Sequence, residues 1–584
     1  MSRLVVLSIL ASFLAAASAC GSGSAPAPAG PANAQASPPR PRSVASPPRP
    51  VKITVIGTSD LHGHIDMLPV LGGFLANLRS SRAADAIVLL DGGDMFQGTL
   101  ESNLNEGAAV VQAYNHLGYD AAAIGNHEFD FGPVGDRSTP AGPADDPRGA
   151  LEARAAEARF PFLAANVIDS ATKRPVAWPN VAPSRLIERA GVRIGIIGIA
   201  TTDTPHTTMA RNFAGLSIAP LAPTIAAEAA ALRKRGAQLV LVAAHAGGRC
   251  RDLDRPTDLS SCEPDQEIFQ VARELPPGAV DVIVGGHSHS GVAHEVAGTA
   301  VVQAFANGVA FSRVDLVVEP GGRGVISRRI DPTHFVCGGD RHATAADCTP
   351  GEYEGRPVQP DPELTAMVGR YLAAASKVRE EKLGVQIDTP VRRAHGEESA
   401  LGNLFADLMR AARPDADVAM TNGGGLRADL PAGPLTYGAL HTAMPFDNRF
   451  ARVTLTGAQL TRILATNLQK SSGIFSLSGV RVTARCRGGA LEVSLRRDRG
   501  KPVRDRDRLV LVTSDFLAGG GDGMLDGIDL PADAVRLEES ETIRDALARA
   551  LRARGGHLGG DDRRLLDPRA PRIALPGPRP VKCQ

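Results

Sequence analysis

Five short apolar runs in the first half of the chain are each followed closely by Asp, Asn or His residues. The runs cover residues 53–56, 86–90, 121–124, 239–242 and 280–284. The residues that follow them are Asp60, His62, Asp94, Asn126, His127, His245, His287 and His289. Runs this apolar are typical of parallel strands buried on both faces, and open α/β folds place their sites at the carboxyl ends of such strands. The sequence therefore predicts an α/β fold in which distant loops converge on one site.

The side chains in these clusters are oxygen and nitrogen ligands, without a thiolate. Such a set suits divalent Mn, Zn, Co or Fe. Asp60 and His62 point to the same side of an extended segment, as do His287 and His289, because strand side chains alternate. Taken singly, such residues are more often structural, since an Asp or Asn after Gly commonly forms a turn. Taken together, they predict a metal site.

The first residues have the pattern of an export signal. A basic Arg3 precedes an apolar stretch over 4–17 and a small-residue cleavage site before Cys20. Residues 1–19 are therefore predicted to be a signal peptide, and the Ser-, Ala- and Pro-rich residues 20–50 a disordered tether. Cys20 resembles the lipobox cysteine of bacterial lipoproteins, which implies lipidation and a periplasmic or cell-surface location; simple secretion is the alternative. No later stretch is long and apolar enough to cross a membrane.

The overall charge limits the expected partners. The formal net charge is +1, and aromatic residues make up 4% of the chain. A charge this close to zero argues against an electrostatic binder of a nucleic-acid polymer. It also predicts that the protein reaches a membrane only through its lipid anchor.

The seven cysteines are compatible with disulfides in an exported chain. Proximity favours Cys250–Cys262 and Cys337–Cys348, which leaves Cys486–Cys583 once Cys20 is set aside. Six cysteines can pair in fifteen ways, so this pairing is a preference, and free buried thiols are the alternative.

The alternation of strands and helices predicts two domains. An α/β rhythm over 51–330 includes helices at 72–82, 107–117 and 221–235. Residues 331–383 are predicted to be a connector that ends in a helix from Asp361 to about 381, because Asp361 can cap it and Pro362 suits its first turn.

A second domain is predicted over residues 384–566. Its expected helices lie at 401–412, 457–468 and 539–554, and its expected strands at 418–420, 451–455 and 509–513. Residues 567–584 are expected to be a loosely ordered tail.

The order of the metal-binding clusters is that of a known signature. Asp-x-His, Gly-Gly-Asp, Gly-Asn-His-Glu, a lone His and Gly-His-x-His resemble the motifs of calcineurin-like metallophosphoesterases. The resemblance implies two metal ions, one held by Asp60, His62, Asp94 and His289, the other by Asp94, Asn126, His245 and His287. It implies that these ions provide the attacking hydroxide. His127 would act in catalysis with Asp130 beside it; a carboxylate at a helix N-terminus is the alternative for Asp130.

Four further motifs follow in the second domain. They are Leu-Gly-Asn-Leu from residue 401, Asn-Gly-Gly-Gly-Leu-Arg from 422, Met-Pro-Phe-Asp-Asn from 444 and Phe-Leu-Ala-Gly-Gly-Gly-Asp-Gly from 516. In this order they resemble the 5′-nucleotidase family. The resemblance implies a four-layered αββα metallophosphoesterase sandwich, joined by a helix to a smaller α/β substrate-binding domain.

The same resemblance implies a nucleotide site. Asn422 and Arg427 would contact the substrate, and Asp522 would bind the ribose hydroxyls. Phe446 and Phe516 would stack on the two faces of the base; core packing is the alternative for each Phe.

The resemblance predicts an exported two-metal phosphohydrolase that removes phosphate from nucleotides, of the 5′-nucleotidase or nucleotide-sugar hydrolase type. One alternative is a 2′,3′-cyclic nucleotide 2′-phosphodiesterase/3′-nucleotidase, and another is a non-catalytic surface binding protein on the same scaffold. Glu397 stands where some members carry a phosphate-binding Arg, so that Arg392, Arg393 or Arg410 would have to compensate. The resemblance also implies that the second domain rotates to carry substrate to the metals.

Overall fold

The computed structural model describes residues 49–583 apart from 82, 323 and 340–343. The predicted signal peptide, nearly all of the predicted tether and the predicted lipidation site Cys20 lie outside the described residues. Every helix in the described part of the chain is too short or too polar to span a bilayer.

Two β-sheets form the centre of the N-terminal domain. The eight-stranded sheet has the order Val325–Ile330, Ala310–Val318, Val51–Thr58, Ala86–Asp91, Ala121–Ala123, Phe162–Leu163 and Val181–Ala182, with His334–Phe335 also paired to Ala310–Val318. The six-stranded sheet has the order Gly291–Val296, Thr299–Ala304, Val282–Gly285, Leu239–His245, Val192–Ala200 and Ser184–Arg189. Val51–Thr58 runs parallel to Ala86–Asp91, and Leu239–His245 runs parallel to Val282–Gly285, as their apolar runs predict.

Helices cover the outer faces of both sheets. Ile56 and Leu89 of the first sheet pack against one set of helices, whereas Val55 and Val88 pack against the second sheet, because strand side chains alternate. The first set is Leu68–Ser81, Leu100–Asn103, Ala108–Leu117 and Gly149–Glu157. The second sheet is covered by Leu221–Lys234 and Glu267–Glu274. The domain is therefore the four-layered αββα sandwich that the sequence motifs imply.

Several short elements decorate this sandwich. They are the helices Thr204–Thr207 and Ala210–Phe213, a small sheet of Leu216–Ile218, Val167–Asp169 and Arg174–Pro175, and a hairpin of Glu352–Tyr353 and Arg356–Pro357.

A long helix, Pro362–Arg379, leads from the first domain to the second. Asp361 caps it by accepting a hydrogen bond of 2.9 Å from the Leu364 N–H, as predicted. Leu364 and Val368 are buried in the helical layer of the N-terminal domain. The linking helix is thus anchored on the first domain, and the strand Lys382–Thr389 follows it.

Three sheets build the C-terminal domain. The largest has the order Phe475–Ser478, Val418–Asn422, Arg508–Ser514, Arg449–Thr456 and Val535–Thr542. The others have the orders Gly433–Thr436, Lys382–Thr389 and Gly556–Gly559, and Ala490–Arg497, Val480–Arg487 and Ile573–Ala574. The helices are Ala400–Ala412, Tyr437–Ala443, Gly457–Gln469, Asp515–Ala518 and Ile543–Arg554.

Two predictions about the end of the chain are wrong. The helix predicted from residue 539 begins at Ile543, because Val535–Thr542 pairs with Arg449–Thr456 as a strand. Pairing within the sheet overrides the helical propensity of this glutamate-rich segment. The predicted loose tail is packed: Ile573–Ala574 pairs with Val480–Arg487, and Val581 is buried.

The preferred disulfide pairing is confirmed. The bonds join Cys250 to Cys262, Cys337 to Cys348, and Cys486 to Cys583. The last one fastens the end of the chain to the strand Val480–Arg487.

Candidate active site

The loops after the central strands bring the predicted metal ligands together. One group is Asp60, His62 and His289, the other Asp94, His245 and His287, and the ligand atoms within each group lie within 4.8 Å of one another. The remaining predicted ligand, Asn126, places its Oδ1 2.9 Å from His245 Nε2.

In the first group, two imidazoles face each other. His62 Nε2 and His289 Nε2 are 2.9 Å apart, and His289 Nε2 lies 3.6 Å from Asp60 Oδ1. His62 Nδ1 donates to the Gln97 carbonyl over 2.8 Å, so the lone pair of the neutral ring is on Nε2. Asp60 is fully buried, and its Oδ2 has no hydrogen-bond partner.

The second group has the same character. His245 Nδ1 donates to the Gly92 carbonyl over 2.9 Å, which leaves Nε2 pointing inward. This Nε2 is 3.1 Å from Asp94 Oδ2 and 3.2 Å from His287 Nδ1. Asn126 Nδ2 donates to the Thr207 carbonyl over 3.0 Å, so its oxygen faces the same point.

Carboxylate and amide oxygens and imidazole nitrogens therefore converge from several sides, and a positive charge between them would stabilise this arrangement. Burial lowers the pKa of His62 and of His287 to about 3, which keeps both rings neutral and able to bind a metal. Burial also acts against a charged His245, but the Asp94 carboxylate outweighs it and raises the pKa of His245 to about 10. The donor set and its convergence fit divalent cations.

The candidate ligands have an uncommon backbone conformation. The φ angles are 52° at Asp60, 49° at His62, 58° at Asp94, 75° at His287 and 52° at His289. Each such left-handed residue costs of order 1–3 kcal/mol and persists where the surrounding structure enforces it. Sharp local turns therefore aim these side chains.

Glu128 organises the ligand loops, and the sequence analysis assigned it no role. Its Oε1 accepts from the N–H of Met95 and of Phe96, at 2.7 and 3.3 Å. Its Oε2 accepts from the N–H of Asp94 and of Gly125, at 2.9 and 2.7 Å. This buried carboxylate thus joins the Asp94 loop to the loop of Asn126; its place in the Gly-Asn-His-Glu motif was the available signal.

His127 lies beside the candidate ligands and pairs with Asp130. His127 Nδ1 is 2.6 Å from Asp130 Oδ2, and Thr208 Oγ1 donates to Asp130 Oδ1 over 3.1 Å. Burial lowers the pKa of His127, but the carboxylates of Asp130 and Asp94 outweigh it, and the net shift is upward. Asp130 follows the short turn His127–Phe129 rather than starting a helix, so the alternative reading of Asp130 is wrong.

A cavity of about 550 Å³ connects this region to the C-terminal domain. Its lining includes Asp94, Asn126, His127, His287, His289, Asn422, Arg427, Phe446, Phe516 and Asp522. The His127 and Phe446 ring centroids are 5.3 Å apart, and Arg427 Nη2 lies 3.0 Å from His127 Nε2. Asn422 Nδ2 donates to Asp522 Oδ2 over 2.7 Å. Both phenylalanines are only partly buried and border the cavity, although Phe516 also packs against the core of the C-terminal domain.

Glu397 lies outside the cavity, so its carboxylate does not face a phosphate group bound there. Glu397 is exposed and does not line this cavity, whereas Arg393 does. Arg393 Nη1 donates to the Leu426 carbonyl over 3.0 Å, beside Arg427. Arg410 points elsewhere and pairs with Asp498 at 2.9 Å. Of the arginines considered as compensation, Arg393 is the one that borders the cavity.

Residues that the sequence analysis missed hold the loop of Phe446 from the N-terminal domain. Gln97 Nε2 and Asn103 Nδ2 each donate to the Pro445 carbonyl over 3.0 Å. The main-chain carbonyl of the same Gln97 accepts the hydrogen bond from His62 Nδ1.

A buried arginine holds this loop from the other side. Arg544 Nη1 donates to the carbonyls of Met444 and Phe446, each over 3.2 Å, and Arg544 Nη2 pairs with Asp447. About a hundred residues separate Arg544 from the loop, so no local pattern pointed to it.

Comparison with known proteins agrees with this geometry. Residues 53–291 match the calcineurin-like phosphoesterases, and residues 373–527 match the 5′-nucleotidase C-terminal domain. The chain is 28% identical over 510 residues to protein UshA of Yersinia enterocolitica, covering 81% of this chain and 86% of that protein. It is 24% identical over 539 residues to a 5′-nucleotidase of Vibrio cholerae, covering 85% and 90%. Its fold is similar to that of a 5′-nucleotidase precursor from Thermus thermophilus, with a TM-score of 0.66 and 23% identity over 90% of this chain and 100% of that one.

The fold and the matching family models define a metal-dependent phosphoester hydrolase. The chain belongs to the 5′-nucleotidase family, in which a metallophosphoesterase domain precedes a 5′-nucleotidase C-terminal domain.

Proposed function

We propose that the protein is an exported two-metal phosphohydrolase that removes phosphate from nucleotides. The observation that carries the proposal is that one cavity borders candidate metal ligands, His127 and two partly exposed phenylalanines. Metal chemistry and a surface for a base thus lie within the reach of one small molecule.

Asp60, His62, Asp94 and His289 would hold one cation, and Asp94, Asn126, His245 and His287 the other. Asp94 Oδ2 supports a shared role, since it is 3.1 Å from His245 Nε2 and 3.9 Å from His62 Nε2. Two divalent cations there would supply hydroxide at neutral pH and offset the charge of the phosphoryl group.

His127 would act on the leaving group. Asp130 holds the Nδ1 proton of His127, which leaves Nε2 directed at the cavity. Arg427 Nη2 lies 3.0 Å from His127 Nε2 and can only donate, so Nε2 would gain its proton once substrate phosphate draws the guanidinium away. The protonated Nε2 would then give that proton to the departing ester oxygen, and Arg427 would offset phosphate charge.

The C-terminal domain would hold the nucleoside. Phe446 and Phe516 would stack on the base, because a π face accepts any base. Asp522, oriented by Asn422, would accept hydrogen bonds from the ribose hydroxyls.

Phosphate release tests this function. Purified protein with Mn²⁺, Zn²⁺ or Co²⁺ is assayed on AMP, UDP-glucose and 2′,3′-cyclic AMP. His127→Gln should lower kcat by about 10²–10⁴-fold with unchanged bound metal, measured by mass spectrometry. His557→Gln is the matched control, since His557 is 71% exposed.

The outcomes are distinct. Fast cleavage of the cyclic nucleotide with slow AMP hydrolysis would identify the cyclic phosphodiesterase instead. Metal binding without hydrolysis of any nucleotide would refute the proposal and favour a binding protein.

Export is part of the proposal and is supported by three disulfides and the N-terminal pattern. Cell fractionation should place the protein in the envelope, and Cys20→Ser should abolish the incorporation of labelled fatty acid. A cytoplasmic, fully reduced protein would overturn this part.

A further inference from the structure

The hairpin of Val480–Arg487 and Ala490–Arg497 presents arginines to solvent. Directly opposed residues share a face, and the register places Arg481 opposite Arg496. Arg485 and Arg487 alternate onto the same face, where Glu492 stands opposite Arg485, and all four arginine side chains are exposed. The opposite face is apolar and buried, with Val482, Ala484 and Leu495 in the core of the domain. These four arginines are named the arginine face.

Two of the four arginines donate to main-chain carbonyls rather than to carboxylates. Arg481 Nη1 donates to the Ala570 carbonyl over 2.8 Å, and Arg496 Nη1 donates to the Gly500 carbonyl over 3.2 Å. Within the described part of the chain, no carboxylate forms an ion pair with any of the four. Arg497, on the buried face, does pair with Asp417, at 2.7 Å.

This arrangement is unfavourable unless an anion binds to it. Like charges directly opposite each other destabilise a strand pair. Ion pairs satisfy many other arginines of this domain, such as Arg413 with Glu538 and Arg572 with Asp407. Arg481 and Arg496 are distinguished by their direct opposition in the strand pair, where each charge faces the other.

The arginine face is also firmly held. The strand Ile573–Ala574 pairs with the edge of the hairpin, and the Cys486–Cys583 disulfide lies within it. The four arginines are therefore presented on a fixed surface.

We propose that the arginine face docks the protein on an anionic lipid surface. The net charge of +1 conceals an uneven distribution, since residues 480–508 contain ten Lys and Arg against four Asp and Glu. The same stretch contains no aromatic residue, whereas binders of single-stranded nucleic acid interleave aromatics for stacking. Membrane contact through this face would be independent of a lipid anchor, and the net charge alone does not predict it.

Vesicle co-sedimentation tests the proposal. Full-length mature protein with Cys20→Ser carries no acyl chain. It is mixed with two kinds of vesicle, one of phosphatidylcholine alone and one that also contains about 30 mol% phosphatidylglycerol. Binding should require the anionic lipid and fall steeply as salt is raised. Combining R481Q, R485Q, R487Q and R496Q should weaken binding on the order of several hundredfold.

A variant with the same change in charge provides the control. Lys173, Arg174, Lys234 and Arg235 are exposed on the N-terminal domain, and their combined change to Gln should leave vesicle binding within about twofold. Phosphatase activity and the thermal midpoint check folding of both variants. Equal loss in the control, absence of binding by the parent protein, or binding to heparin but not to vesicles would each overturn the proposal.

Discussion

Arg544→Lys tests whether the Phe446 loop is positioned from a distance. The guanidinium donates to the carbonyls of Met444 and Phe446, each over 3.2 Å, and pairs with Asp447. A lysine ammonium keeps the charge but cannot reproduce the planar fork of donors. At least one carbonyl would lose its partner, and a hydrogen bond from a charged group contributes about 1.5–3 kcal/mol.

The expected rise in KM is limited by the smaller of two free energies, that of the lost hydrogen bond and that of stacking on Phe446. If the loop becomes free to move, the loss in nucleotide-binding free energy cannot exceed the free energy of the contact that the loop provides. Stacking on one aromatic ring is worth about 1–3 kcal/mol per base, which corresponds to about 5–150-fold. KM for AMP should therefore rise by about 5–150-fold, while kcat changes by less than about threefold, because the metal ligands and His127 are untouched.

A substrate without a base separates positioning from general damage. KM for glycerol phosphate should not change, since it makes no contact with Phe446. Arg552→Lys is the matched control on the same helix, where the Arg552–Glu381 pair, at 2.6 Å, lies at the surface. An equal rise of KM for glycerol phosphate, or unchanged KM for AMP in a folded Arg544→Lys protein, would refute the reasoning.

Two further substitutions address the loops of the candidate metal ligands and the short helix that carries Phe516. Glu128→Gln places an NH₂ group against two main-chain N–H donors. It should weaken metal affinity by about 10–100-fold in a chelator competition, whereas the exposed Glu188→Gln should leave that affinity unchanged. Equal metal affinity of the two variants would show that Glu128 is dispensable. Burial raises the pKa of Asp515 from 3.8 to about 7, so ionisation destabilises the fold increasingly as pH rises from about 4 to about 7. Asp515→Asn should therefore raise the thermal midpoint at pH 8 by the equivalent of at most about 4 kcal/mol and leave it unchanged at pH 4; the same shift at both pH values would contradict this sign.

The parts of the fold that depend on local sequence were predictable. Asp361 and Pro362 predicted the start of the linking helix, because a capping residue and a first-turn proline act within one helical turn. The apolar run at 239–242 predicted a buried strand, and the motif order predicted which polar residues meet at its end. The structure places these residues within 4.8 Å of one another in each group.

The remaining features depend on contacts between distant segments. Residues 535–542 form a strand because Arg449–Thr456 lies beside them, which their own composition does not reveal. Arg544 and Gln97 reach a loop about a hundred and more than three hundred residues away, respectively. The arginine face escaped notice because a net charge averages over the whole surface and does not show where charge accumulates.

Gln97 contacts both the proposed metal site and the proposed nucleotide site, so it can couple binding at one to binding at the other. Its main chain sets the tautomer of His62, and its side chain holds Pro445 beside the proposed stacking residue Phe446. If a cation on His62 steadies this segment, it favours nucleotide binding, and thermodynamic reciprocity then requires that nucleotide favour the cation by the same factor. Such an enzyme would retain scarce metal most firmly when its substrate is abundant.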